Sequence, residues 1–204
     1  MNKIILVAGG SASGKTYVTN KVLASISSNA FVRITIDDFY KDNSHLTFEE
    51  RQKINFDHPK SIDFKLLHEV LSSLKEGKEV DIPTYDFTIH CRSKNLKHVK
   101  PAKIIVVEGI FALVNKKIRE LSDLNIFIHA SRENRFLRRL KRDQEERGRT
   151  FDYVVNQYVS IVAPAYEEII APTKMFADLI VSNDGIENKS IDILTTIFNM
   201  MVEK

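Results

Sequence analysis

Eight residues near the start of the chain have the types and spacing of a phosphate cradle: Gly9-Gly10-Ser11-Ala12-Ser13-Gly14-Lys15-Thr16. They fit G-x-x-x-x-G-K-[ST], after the apolar run Ile4 to Ala8 and before a helical pattern, the context such a loop needs. Glycines at the two ends let the backbone wrap a phosphate and turn its N–H groups inward. A helix N-terminus behind the loop adds partial positive charge. In this reading Lys15 neutralises the β and γ oxygens, and the Thr16 hydroxyl ligates the accompanying Mg²⁺. A nucleoside triphosphate, ATP or GTP, is the expected ligand.

Three further groups bear on what such a site could do. Glu108 closes the apolar run Ile104 to Val107, where a second acid on the metal side is expected. Asp37 and Asp38 close the run Phe31 to Ile36, and a kinase needs one carboxylate beside its acceptor hydroxyl. Their spacing does not choose between them. From Arg132 to Arg149 eight basic residues face four acidic ones, a net +4 in a chain whose formal charge is only +3. Arg132, Arg135, Arg139 and Arg142 recur at helical steps and are expected to share one face.

These groups must be held by strands and helices in alternation. Ile4-Ala8, Phe31-Ile36, Ile104-Val107, Asn125-Ile128 and Leu179-Val181 read as strands, several apolar throughout, as parallel strands covered on both faces are. Between them lie helical patterns at Lys15-Ser27, Asp63-Glu76, Ala112-Leu121, Arg132-Arg142, Tyr153-Glu168 and Lys189-Met201. The expectation is an α/β fold of three layers, a five-stranded parallel sheet with helices on both faces. Val80-Phe87 and Ser93-Val99 read as a hairpin outside that sheet, and Asp42-Lys60 as irregular, with an extended turn at Asp57-His58-Pro59. The 204 residues, 43% hydrophobic and 28% charged, suit one domain with an ordinary core. With a single cysteine, Cys91, and no apolar run of spanning length, the expected location is the cytoplasm, with no membrane partner. So small a net charge gives no expectation of nucleic-acid binding.

In order along the chain, these residues resemble the uridine–cytidine kinase family of P-loop nucleoside kinases. The likeness is carried by the cradle, by Asp37-Asp38-Phe39-Tyr40, and by Asn55-Phe56-Asp57-His58-Pro59. Tyr85-Asp86-Phe87 with His90 and Arg92, Glu108-Gly109-Ile110, Arg142-Asp143 and Glu146-Arg147-Gly148-Arg149 continue it. The resemblance implies transfer of a phosphoryl group to the 5′-hydroxyl of uridine or cytidine, with ATP or GTP as donor. It implies that Asp37 is the carboxylate on that hydroxyl. It puts Asp57 on the ribose hydroxyls, Tyr85 and His90 at the pyrimidine, Tyr40 and Phe56 on the pocket wall, and Gln157 near the nucleoside. An Arg-rich lid over about 139–152 would bring Arg139 and Arg149 to the substrate and Arg142 and Arg147 to the phosphates, with the hairpin insertion at about 79–100. It further implies a homotetramer and feedback inhibition by CTP or UTP.

Tyr17, His129 and the segment Ser182-Asn183-Asp184-Gly185 depart from the family pattern. Arg132, Arg135 and Arg138 are expected on a solvated face. The rival readings are a related kinase acting on ribulose phosphate or pantothenate, a GTP switch and an RNA-binding protein. Tyr85 and His90 argue against a phosphorylated-sugar acceptor. Asn115-Lys116-Lys117-Ile118 lacks the Asp of a guanine-reading motif, which argues against the switch.

Overall fold

The apolar strand that feeds the cradle lies in the middle of a sheet. The computed structural model describes residues 2–185 and 189–203. Along the chain run β1 (Lys3–Gly9), α1 (Lys15–Leu23), β2 (Phe31–Thr35), α2 (Phe48–Gln52), α3 (Phe64–Lys75), β3 (Val80–Ile82), β4 (Tyr85–Asp86), β5 (Cys91–Arg92) and β6 (Lys97–Val99). They are followed by β7 (Ile104–Glu108), α4 (Lys116–Leu121), β8 (Leu124–His129), α5 (Arg132–Glu145), α6 (Phe151–Gln157), α7 (Ala163–Ala165), β9 (Leu179–Ser182) and α8 (Lys189–Glu203). The main sheet is parallel with strand order β2-β7-β1-β8-β9.

Strand periodicity sorts the apolar residues into two cores. Ile4, Leu6 and Ala8 point to one face with Ile105, Val107 and Phe127, where Leu67, Leu71 and Leu74 of α3 and Ile118 of α4 cover them. Ile5 and Val7 point to the other with Ile104, Val106, Ile126 and Ile128, under Val18 and Val22 of α1 and Leu194 and Phe198 of α8. Each such side chain contributes about 1.5–3 kcal/mol when fully buried. The three layers and five parallel strands agree with the sequence.

Several elements differ from expectation. The helix expected from Ala112 begins at Lys116, where the Asn115 side chain accepts a hydrogen bond from the Ile118 N–H. The stretch 42–60 is not wholly irregular: α2 sits in it, opened by a reciprocal cap between Thr47 and Glu50. The hairpin is two short pairs, β3 with β6 and β4 with β5. Pro83, which has no N–H to give a ladder, lies at the break. Thr84 bridges it, accepting from the Ser93 N–H at 2.8 Å and donating its hydroxyl to Asn95 O at 2.9 Å. After α6 the helix continues in π-helical turns, Tyr158–Val162 and Tyr166–Ile170, on either side of Pro164, which interrupts the regular ladder.

Candidate active site

The C-terminal ends of β1, β2 and β7, the start of α1, and the inward faces of α5 and α6 surround one cleft of about 950 Å³. Open parallel sheets commonly bind ligands at this end. The expected residues Ser11, Ala12, Gly14, Lys15, Thr16, Asp37, Tyr40, Phe56, Asp57, Tyr85, His90, Glu108, Arg139, Arg142, Arg147, Arg149 and Gln157 all line it. Gly9, Gly10 and Ser13 form the loop behind this lining. Ala12 and Gly14 take left-handed backbone angles, φ 59° and 87°. A side chain at Gly14 would also collide with Asn183.

Lys15 Nζ donates to the carbonyls of Gly9 and Gly10 at 3.0 and 2.8 Å. Burial lowers its pKa to about 8, although Asp37 and Glu108 pull the other way. The same burial raises the Asp37 carboxyl above its ordinary range, opposed by Lys15. The structure separates the two acids at the end of β2. Asp37 faces the cleft, whereas Asp38 accepts from the Tyr85 backbone and is attracted to Lys97 on the hairpin. Glu108 is buried beside Thr16, whose hydroxyl donates to Oε1 at 3.4 Å, while Oε2 has no hydrogen-bond partner among the described residues. A hydroxyl beside an orphaned carboxylate oxygen suits a hard cation that keeps most of its waters, so these residues fit Mg²⁺.

The opposite end of the cleft is aromatic. Tyr40 packs on Phe56 and Tyr85 with ring centroids 5.2 and 5.0 Å apart, and Phe56 stacks on His90 at 5.2 Å. His90 sits at φ 51° at the hairpin tip, where Arg51 of α2 donates to Ile89 O at 2.9 Å. Burial, then the nearby Arg149 and Arg51, lower the His90 pKa and keep the ring neutral near pH 7. Arg92, on β5 of the hairpin, donates to Tyr40 O at 2.7 Å and to Asp63 at 3.3 Å. Asp57 has its pKa raised by burial, against the pull of Arg139 and Arg149.

Between the two ends, the arginines gather on Asp143, which is 0% exposed in its side chain. Arg139, Arg142, Arg147 and Arg149 lie 3.6, 2.8, 3.4 and 3.4 Å from its carboxylate. Burial alone would raise the Asp143 pKa, but these cations outweigh it and hold the carboxyl below its usual range. Arg139 also donates to Ser11 Oγ at 2.8 Å and to Gln157 at 3.0 Å, tying α5 to the phosphate loop and to α6. In the sequence Asp143 is one acid among four in this segment, and its position next to Arg142 is the signal that marks it.

The expected solvated face of α5 is corrected in part. Arg132 is exposed. Arg135, however, is 2% exposed, and Arg138 lines the cleft while donating to Asn183 O at 2.8 Å. The departures noted in the sequence also find places. Tyr17 is 54% exposed at the cleft rim, where its bulk meets no obstacle. Asn183 donates to Ser13 O at 2.8 Å, and Asp184 accepts from the Ser131 N–H, its hydroxyl and Asn134 at the start of α5.

The sequence profile of the Phosphoribulokinase / Uridine kinase family matches residues 4–188. The chain belongs to that family. Its relatives include the uridine kinases of Staphylococcus aureus strains JH9 and Newman, each 46% identical over 201 residues, 98% of this chain and 97% of theirs. Among solved structures, the fold is similar to a putative fructose transport system kinase from Silicibacter sp. TM1040, with TM-score 0.71, 22% identity, and coverage of 88% of this chain and 89% of that one. It is also similar to phosphoribulokinase from Rhodobacter spheroides, with TM-score 0.68, 19% identity, and coverage of 93% and 72%. At those identities the structures bear on the fold alone. No described helix is long and apolar enough to cross a membrane.

Proposed function

We propose that this family member transfers the γ-phosphoryl group of ATP or GTP to the 5′-hydroxyl of uridine or cytidine, giving UMP or CMP. One observation carries the reading. A phosphate loop and an aromatic pocket open into the same cleft, with Asp37 between them and Asp57 and His90 at the pocket. The names of the close relatives support it.

Each chemical requirement has a residue suited to it. Asp37 accepts a hydrogen bond from the 5′-hydroxyl, orients it and takes its proton as the oxygen attacks. Its two lone-pair-rich oxygens let Asp57 receive both ribose hydroxyls, which selects against deoxyribose. A neutral His90 ring offers one donor and one acceptor, so it serves either the uracil oxygen or the cytosine amino group. Thr16 and Glu108 would hold Mg²⁺, the ion that offsets charge on the triphosphate. Lys15, Arg142 and Arg147 stabilise charge developing on the migrating phosphoryl oxygens, while Arg139, Arg149 and Gln157 hold the acceptor. The loop after α5 closes as a lid and keeps water from the γ-phosphate.

The same reading includes the family's tetrameric assembly, inhibition by CTP or UTP, and cytoplasmic location. A coupled kinase assay over uridine, cytidine, ribulose 5-phosphate and pantothenate tests it, with turnover expected on the two nucleosides alone. Absence of turnover with both nucleosides would overturn it. Titrating CTP into the uridine assay and measuring molar mass by light scattering test the inhibition and the assembly.

A further inference from the structure

Among the described residues, Arg135 carries a charge with no counter-ion. Its side chain is among the largest fully buried ones, and no carboxylate lies within 4.0 Å of it among the described residues. Its Nε donates to Ala130 O at 3.2 Å, its guanidinium carbon lies 3.5 Å from the Tyr166 ring centroid, and its Nη1 has no hydrogen-bond partner among the described residues. The pair presses on the phosphate loop: a Cβ at Gly10 would come within 2.8 Å of Arg135 Nη1 and 2.9 Å of the Tyr166 ring. A buried cation that, among the described residues, meets one carbonyl and an aromatic face is poorly compensated. Such a group is expected to weaken the fold unless something else attracts it.

We infer that Arg135 is a positioning residue for the donor: from behind Gly10, it fixes the loop's shape and projects positive potential through the backbone towards the bound phosphates. The low dielectric of the packed loop transmits that potential better than water would. Arg135 also adds to the cationic surroundings that disfavour the charged form of Lys15, so it is electrostatically felt inside the cleft. The Tyr166 ring keeps the guanidinium in place at low cost, with the cation over its face. Gly10 is required because any side chain there would push this pair off the loop.

The inference rests on the proposed donor site, and the test separates the two. Arg135→Met keeps most of the side-chain volume and removes the charge. Calorimetric titration with Mg-ATP is expected to show at least a tenfold weaker Kd. The thermal midpoint of the nucleotide-free protein should stay level or rise, and the KM for uridine should stay within twofold. Arg135→Lys should regain part of the lost affinity. A scaffolding arginine gives the opposite pattern: a lower midpoint, or failure to fold, with nucleotide affinity unchanged in whatever folds. Either of those results overturns the inference. If the unsubstituted protein itself binds no Mg-ATP, the donor-site reading falls and takes this inference with it.

Discussion

Asp37 and Lys15 shift one another's protonation within the same buried volume. Asp37→Asn keeps the shape and removes the base, so turnover should fall by orders of magnitude while Mg-ATP affinity holds, measured by a coupled assay and by titration. A near-normal rate would remove Asp37 from the chemistry. Lys15 makes a second prediction. With its pKa lowered to about 8, the free protein loses the Lys15 proton as the pH rises through that value. Phosphate binding favours the charged form, so Mg-ATP binding near pH 8 should take up a proton and weaken as pH climbs further. Calorimetry in two buffers of different ionisation enthalpy measures that uptake, which Lys15→Met should abolish. These residues were legible because a spaced motif carries them. The choice of Asp37 over Asp38 was not legible from spacing, since it depends on which way the turn after β2 aims each carboxylate. Arg135 was misread for a related reason. Helical spacing put it on the face of Arg139 without saying that an aromatic ring stood ready to cover it.

At the level of elements, α5 and the loop that follows it are organised by Asp143. Asp143→Asn would leave Arg139, Arg142, Arg147 and Arg149 repelling one another around a neutral amide. The expected loss is about 2–3 kcal/mol by urea denaturation, below the ~3–5 of a fully buried pair because three of the arginines are partly exposed. Hydrogen exchange around 146–150 should speed up. The strands were easy to read because both faces of the sheet are covered, which leaves near-continuous apolar runs. α2 was missed although its cap is written in the sequence as Thr47-Phe48-Glu49-Glu50, because so short a helix buries no residue and shows no periodicity. The break in the hairpin follows from Pro83, a signal present but outweighed by the β-rich residues around it.

For the molecule as a whole, the last helix closes the second core. Phe198 of α8 is 2% exposed among residues of α1 and three central strands. Phe198→Ala is therefore expected to cost about 3–4 kcal/mol in urea, with the KM of the remaining folded enzyme little changed, since the residue packs in the second core and does not line the cleft. That the sheet would be parallel and three-layered followed from alternation alone. The segment 182–185, which clips β9 to the phosphate loop and to α5, matched no pattern, because its work is done by side-chain amides and carboxylates across long sequence separations.

The strand order also sets a timetable for synthesis. β1 pairs Lys3 with Ile104 and Ile5 with Leu124. On the ribosome, the run Ile4 to Ala8 therefore emerges about a hundred residues before either neighbour exists, a wait of ~5–20 s at ~5–20 residues per second. Through that interval the strand that feeds the phosphate loop has no partner strand, and Arg135 and Tyr166, which press on the loop from behind, are still to come. The nascent chain thus presents an unpaired, wholly apolar β-segment for that interval, the kind of sequence that chaperones hold and that aggregates when they do not.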